Sequence, residues 1–135
     1  MKTIHYAILL ATLMTAVSCG TTLKFPVSTI VPAAEGKVTI TKDKNYNYII
    51  ALDVKYLANA DRLTPAKKYY VVWLMTPNGT NLNLGMLMSD KKNNASLKSL
   101  SSSKPLQIFV TAEDYGNVSM PGNEEIFRTP DFNLK

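Results

Sequence analysis

The chain reads as an all-β protein, an antiparallel β-sandwich of about seven short strands, and three observations predict it. Residues 46–56 alternate between apolar or aromatic and polar side chains, the period of a strand with one buried face. Tyr69 to Met75 is a nearly unbroken apolar run, and Pro77-Asn78-Gly79 follows it. Such a run suits a strand buried in the sandwich, and Asn-Gly accepts the positive φ of a hairpin turn. Turn-forming residues recur about every eight to twelve residues, with no helical period between them.

In chain order, the first element is not part of that domain. Met1-Lys2 give a positive start, Tyr6 to Val17 is an apolar run, and Ala16-Val17-Ser18 lead straight into Cys19. An apolar stretch of about a dozen residues is too short to span a bilayer and has the layout of a secretory signal. With cysteine as the first residue after the cut, it resembles a bacterial lipoprotein signal. In that class the thiol is alkylated by diacylglycerol and the new amino terminus is acylated. The expected organisation is therefore a signal peptide over 1–18, a lipidated tether over 19–23, a sandwich over 24–129 and a tail over 130–135. Gly20 replaces the Asp that retains such proteins in the inner membrane. In a Gram-negative cell the expected location is the outer membrane.

The strands follow. Leu23 to Val31 and Lys37 to Lys42 read as the first two. In Tyr46 to Tyr56 the even positions Tyr46, Tyr48, Ile50, Leu52, Val54 and Tyr56 form the buried face, with Asn47, Asp53 and Lys55 opposite. Ile49 and Ala51 soften that outer face and suggest a central strand. Tyr69 to Met75 and an alternating segment with Leu82, Leu84, Met86 and Met88 make a hairpin around Asn78-Gly79. Asp90 to Ser103 is polar, with Ala95, Leu97 and Leu100 its only apolar residues, and is expected to be a loop or one short helical turn. Leu106, Ile108, Val110 and Ala112 share one face of the next strand. Glu113-Asp114-Tyr115-Gly116-Asn117 is a turn, and the last strand lies near Glu125 to Arg128.

Composition excludes much chemistry. The single histidine is His5, in the segment to be removed, and the single cysteine is Cys19, which becomes a thioether. A chain with neither imidazole nor thiol cannot run Ser-His-Asp or Cys-His catalysis, form a disulfide, or build a Cys/His zinc site. No cofactor is expected. The net charge of +5 comes mostly from lysines, scattered in pairs such as Lys67-Lys68 and Lys91-Lys92. Nucleic-acid binders cluster such charge with aromatics on one face, so no nucleic-acid partner is expected.

From Asp61 to Thr129 the chain resembles the extracytoplasmic domain of anti-sigma-K factors. Leu63-Thr64-Pro65 precedes the strand Tyr70-Val71-Val72-Trp73-Leu74, and Leu84-Gly85-Met86 follows the Asn-Gly turn. Val110-Thr111-Ala112-Glu113 looks like the penultimate strand, and Pro121-Gly122 leads to Ile126-Phe127-Arg128-Thr129. The resemblance implies an immunoglobulin-like sandwich, with Trp73 as its central tryptophan, in an extracytoplasmic position. It implies no sigma-factor partner, because the family's sigma-binding domain and membrane helix have no counterpart in this sequence.

Three constellations point to chemistry and have plainer explanations. Asp43-Lys44-Asn45-Tyr46-Asn47 imitates the start of a calcium loop, but Tyr48 and Val54 stand where Gly and Glu are needed, so a turn is expected. Met86 and Met88, with Met75, suggest a thioether copper site, yet Leu82 and Leu84 continue the stripe and make it core. Glu113, Asp114, Glu124 and Glu125 form the one dense acidic group and read as solvated turns. No metal site is expected.

The expected function is a non-enzymatic binding or assembly module held on the membrane through Cys19, with an envelope protein or glycan as partner. The alternative is a carbohydrate-binding lipoprotein that uses exposed tyrosines such as Tyr56, Tyr69 or Tyr115. The turns at Asn78-Gly79 and at Asp114-Tyr115-Gly116 occupy corresponding hairpins of the resembled family. They are expected to cluster at the end facing away from the lipid, with Tyr115 as an aromatic anchor; the alternative is that both are plain turns and the partner docks on a sheet face or edge.

Overall fold

Tyr48, Ile50, Leu52 and Val54 all face the interior along one strand and are nearly inaccessible to solvent. That alternation organises the larger of two sheets. The computed structural model describes residues 20–134. Its strands are β1 (Thr21–Lys24), β2 (Glu35–Lys42), β3 (Tyr48–Lys55), β4 (Tyr69–Met75), β5 (Asn81–Met86), β6 (Met88–Ser89), β7 (Ala95–Ser101), β8 (Gln107–Glu113) and β9 (Glu125–Arg128). One sheet has the order β1-β2-β3-β7-β6 and the other β5-β4-β8-β9, with every pairing antiparallel. The chain is an antiparallel β-sandwich, and β3 is central in its sheet.

The inner faces meet in one core. Val38, Ile40, Ile50, Leu52 and Val54 from the first sheet pack with Tyr70, Val72, Leu74, Ile108, Val110, Ile126 and Phe127 from the second. Phe25 and Phe127 stack at 5.0 Å across one open side. The Tyr70 hydroxyl donates to the Ala58 carbonyl at 2.7 Å and so ties the 56–68 connection to β4. Burial, with a smaller contribution from Asp61, pushes that hydroxyl's pKa up to about 12. It stays a neutral donor throughout the physiological range.

Three hairpin turns share one device. In Asp43–Asn47, Thr76–Thr80 and Asp90–Asn94 the first residue's N–H donates to the fifth residue's carbonyl, at 2.9, 2.9 and 2.8 Å. The first side chain's oxygen accepts the fifth N–H, at 2.9, 3.1 and 3.1 Å. The fourth residue is left-handed in each: Tyr46 at φ 61°, Gly79 at 86° and Asn93 at 60°. Asp and Thr supply the short acceptor, while Gly and Asn tolerate the left-handed place. Tyr46 occupies it without that preference.

The structure departs from the sequence reading in four places. The first strand is shorter and earlier than Leu23 to Val31, because Pro26 and a turn at Ser28 break it. The Ser28 hydroxyl accepts the Val31 N–H at 3.0 Å, and the segment crosses to the edge of β9. Thr21–Leu23 of the expected tether are strand, and Phe132 of the expected tail is buried with its N–H on the Leu106 carbonyl. Residues 95–101 of the expected loop form β7, with Ala95 and Ser101 buried and Lys98 and Leu100 outward. The third strand is trimmed because Tyr46 and Tyr56 both turn left-handed and stand in solvent, 81% and 60% exposed.

Register defines two ends. Thr21 pairs with Ile40, Lys42 with Tyr48, and Tyr48 with Ser101. The link 102–106 joins this end to β8, whose Gln107 faces Met75 beside the Thr76–Thr80 turn. The chain therefore enters the domain at the end that carries the turns at Asp43–Asn47 and Thr76–Thr80. The far end carries the Asp90–Asn94 turn, the 56–68 connection, Tyr69 and Glu113.

Candidate functional site

Three exposed tyrosines stand at the far end, and a fourth, Tyr46, stands at the entry end. Tyr56 follows β3, Tyr69 opens β4 opposite Glu113, and Tyr115 follows β8, with exposures of 60%, 42% and 67%. Between the sheets at this end lies an open concavity of about 450 Å³, lined by Asn59, Asp61, Lys67, Lys68, Tyr69 and Ser89 among others. A neighbouring one of about 270 Å³ is lined by Tyr56, Ala58, Asn59, Arg62 and Asn93. The short 3-10 turn Ala60–Arg62 shapes both by turning the chain between β3 and β4. Lys67 reaches Asp114 at 3.4 Å and links the concavity's wall to the Tyr115 turn. The surface mixes aromatic, amide, acidic and basic groups, a set able to bind a polar partner by hydrogen bonds and stacking.

The loop candidates separate. Because Tyr69 pairs with Glu113 and Met75 with Gln107, Asp114, Tyr115 and Gly116 leave the far end of β8. Asn78 and Gly79 lie at the entry end. The expected clustering fails because β4 and β8 are direct neighbours, and antiparallel neighbours send their following turns to opposite ends. Seven strand residues separate the two turns, roughly 20 Å at about 3.3 Å per residue. Cys19 lies outside the described residues. Gly20 sits against Thr41 at the entry end, and β1 starts at the next residue.

Trp73 is buried as expected, but it lies outside the sandwich. Odd positions of β4 face away from the main core, so Val71 and Trp73 join Phe109 in a second cluster on the outer face of the smaller sheet. A flap, residues 114–124, covers it. Asn83 Nδ2 donates to the carbonyls of Gly116 and Val118 at 3.1 and 2.9 Å, and Val118 packs on the cluster. Trp73 Nε1 donates to Thr111 Oγ1 at 2.8 Å, and that hydroxyl donates to Glu113 Oε1 at 2.7 Å. Gly122 N–H donates to the same oxygen at 2.6 Å. Arg128 lies 3.9 Å over the Phe109 ring and pairs with Glu125 at 2.6 Å.

This arrangement corrects the acidic group. Glu113 is a buried acceptor at 7% exposure rather than a solvated turn, Glu125 is held by Arg128, and Asp114 by Lys67. The methionine stripe also changes. Val72 faces Gly85 and Trp73 faces Asn83, which makes Leu84 the extra residue of a bulge. Past it Leu87 takes the inward place, while Met86 and Met88 stand out at 37% and 68% exposure in different sheets. In the Asp43 turn Oδ1 accepts the N–H groups of Asn45 and Asn47 and Oδ2 accepts the Asn47 amide, so the segment is a turn closed on itself. These bonds, chiefly that from Asn47, hold the Asp43 carboxyl below its ordinary range. The bonds from Asn94 and Lys92 do the same for Asp90. Among the described residues no group of three or more His, Cys, Asp or Glu side chains could hold a metal ion.

Thr111 and Asn83 had no sequence signal, since their partners Trp73, Gly116 and Val118 are distant in the chain, and Gly122 was legible only as part of a turn. Compared with known proteins, the chain matches no family model, no curated protein and no solved structure. The resemblance of Asp61–Thr129 to the anti-sigma-K domain rests on its motifs alone.

Proposed function

We propose that the chain is a lipoprotein anchored through Cys19, serving the cell envelope as a non-enzymatic binding or assembly module. One observation carries the reading. β1 starts two residues after Cys19 at one end, and the concavity lined by Tyr69 lies at the other, where Tyr56 and Tyr115 are also exposed. A lipid on Cys19 would press the entry end to the bilayer and turn Tyr56, Tyr69 and Tyr115 toward a partner. Two or three acyl chains, at about 0.8 kcal/mol per buried methylene, make such anchoring practically permanent. In a Gram-negative cell, Gly20 in the place of the inner-membrane retention Asp supports an outer-membrane position over an inner-membrane one. Membrane fractionation of the Cys19→Ser protein tests the anchor: it should become soluble or remain an unprocessed precursor. Normal processing with unchanged membrane association would rule the anchor out.

A carbohydrate ligand is the second reading, and Tyr69 beside Asn59, Asp61 and Lys67 in one concavity, with Tyr56 in the neighbouring one, favours it. Tyr69→Ala and Tyr115→Ala should then each abolish pull-down on insoluble envelope polysaccharide. Pull-down unaffected by both would leave a protein partner.

A further inference from the structure

We infer that the Asp43–Asn47 turn is a membrane-contact element, resting in the phospholipid headgroup layer when Cys19 is lipidated. The inference rests on the lipoprotein reading and adds to it the segment that touches the lipid.

The geometry comes from where the chain enters the larger sheet. Cys19 is bonded to Gly20, and Gly20 lies against Thr41, one residue beyond the Thr21–Ile40 pair. A lipid on Cys19 is therefore tied to the chain one Cα–Cα step, about 3.8 Å, from a residue level with Thr41. The β2–β3 hairpin continues through Lys42 into the turn at Asp43–Asn47. At about 3.3 Å per strand residue the turn's tip stands past the anchor by several ångströms. The headgroup region of each leaflet is about 5–7 Å deep. An anchor with one residue of slack cannot hold the lipid in its leaflet while keeping that tip clear of the headgroups, unless the domain tips onto its side.

The residues on the tip suit that layer. Tyr46 is 81% exposed at the left-handed place of the turn. Lys44 is exposed beside it, and Lys42 lies over the Tyr48 ring at 5.4 Å. Leu100, 58% exposed, pairs with Ile49 on the same end of the sheet's outer face. Lys104 is exposed on the neighbouring link. Among the described residues two side-chain carboxylates, Asp43 and Asp131, share this end, and both accept hydrogen bonds. Asp43 accepts its own turn's N–H groups, and Asp131 accepts Gln107 Nε2 at 2.6 Å. Exposed tyrosine with lysines around it is the side-chain set of a membrane–water interface, ring at headgroup depth and ammonium groups on phosphates.

The test uses the full lipidated chain. Once Cys19 is a thioether, an introduced cysteine is the single free thiol, since the sequence has one cysteine. Tyr46→Cys and, on the same turn, Lys44→Cys are labelled with an environment-sensitive fluorophore, with Tyr115→Cys as the far-end control. The proteins are reconstituted in phosphatidylethanolamine–phosphatidylglycerol vesicles that carry a headgroup spin-labelled lipid, then floated. The expected result is co-flotation with several-fold stronger quenching at residues 44 and 46 than at 115. Co-flotation with equal quenching at both ends, or stronger quenching at 115, overturns the contact and leaves the anchor standing. A label at 46 that responds to protein density but not to the quencher assigns the tip to a second copy and also overturns it. Failure to float overturns the anchor and the contact together.

Discussion

Replacing Thr111 by Val removes one hydroxyl that serves two buried partners. The side chains are nearly isosteric, so packing on the outer face of the smaller sheet is kept. Thr111 is 1% exposed and Trp73 fully buried, so the indole N–H loses its acceptor with no water to replace it. Glu113 Oε1 loses the Thr111 donor at 2.7 Å and keeps the Gly122 N–H. A buried donor without a partner costs about 1–3 kcal/mol, and a bond to a charged acceptor contributes about 1.5–3 kcal/mol. The two losses overlap through one hydroxyl, which gives an expected destabilisation of about 2–4 kcal/mol. For a domain of this size that lowers Tm by roughly 8–16 °C. Urea unfolding, followed by the fluorescence of Trp73, the single tryptophan, measures it directly. Thr111→Ser keeps the hydroxyl and should lose only about 1 kcal/mol, for one buried methyl. A loss below about 0.5 kcal/mol for Thr111→Val, the range of ordinary surface substitutions, would show that water reaches the indole and that the flap does not seal it.

Trp73→Ala should cost about 3–5 kcal/mol, as for large aromatic truncations in any core; a loss under about 1 kcal/mol would contradict its burial beneath the flap. Gly79→Ala, at φ 86° with open space around it, should lose about 1 kcal/mol from strain alone, and Gly79→Asn less. Gly36→Ala should lose about 1–3 kcal/mol because its Cβ would meet Phe25 Cδ2 at 2.8 Å within the stack on Phe127; equal stability in urea would mean the stack yields freely. The Asp43 and Asp90 carboxyls are held below their ordinary 3.8, so their ionised forms favour the fold. That contribution is complete above the ordinary value and is lost as pH falls through the lower folded one. The Tm gap between the wild type and Asp43→Ala or Asp90→Ala should therefore be widest near neutral pH and narrow in acid, and a gap constant down to pH 2 would refute the turn's charge dependence.

The fold was legible where one physical signal dominated. Alternation at Tyr48–Lys55 and the apolar run at Tyr69–Met75 each set a strand, and Asn78-Gly79 set the hairpin between β4 and β5. β7 was not legible, because half of its inward positions are serines and only Ala95 and Leu97 mark the buried face. Asp90 could have flagged it, since its turn repeats that at Asp43 with the same acceptor and the same fifth-place asparagine. The outward turn of Met86 and Met88 depends on a bulge at Leu84, which shifts the facing of every residue after it. The placement of Trp73 was out of reach for another reason. β4 is apolar on both faces, so no pattern within it distinguishes the main core from a face covered by a distant flap. The separation of Asn78-Gly79 from Asp114-Tyr115-Gly116 needed the pairing of β4 with β8, which no local signal supplies.

Cross-linking in cells tests the central claim, that the domain is held by its entry end and meets its partner with the far end. A photoreactive residue at Tyr115 is compared with one at Asn78, both exposed and at opposite ends, in the chain that keeps Cys19. The account predicts adducts with an envelope protein or glycan at Tyr115 and none with such a partner at Asn78. Adducts at Asn78 with none at Tyr115 would contradict it.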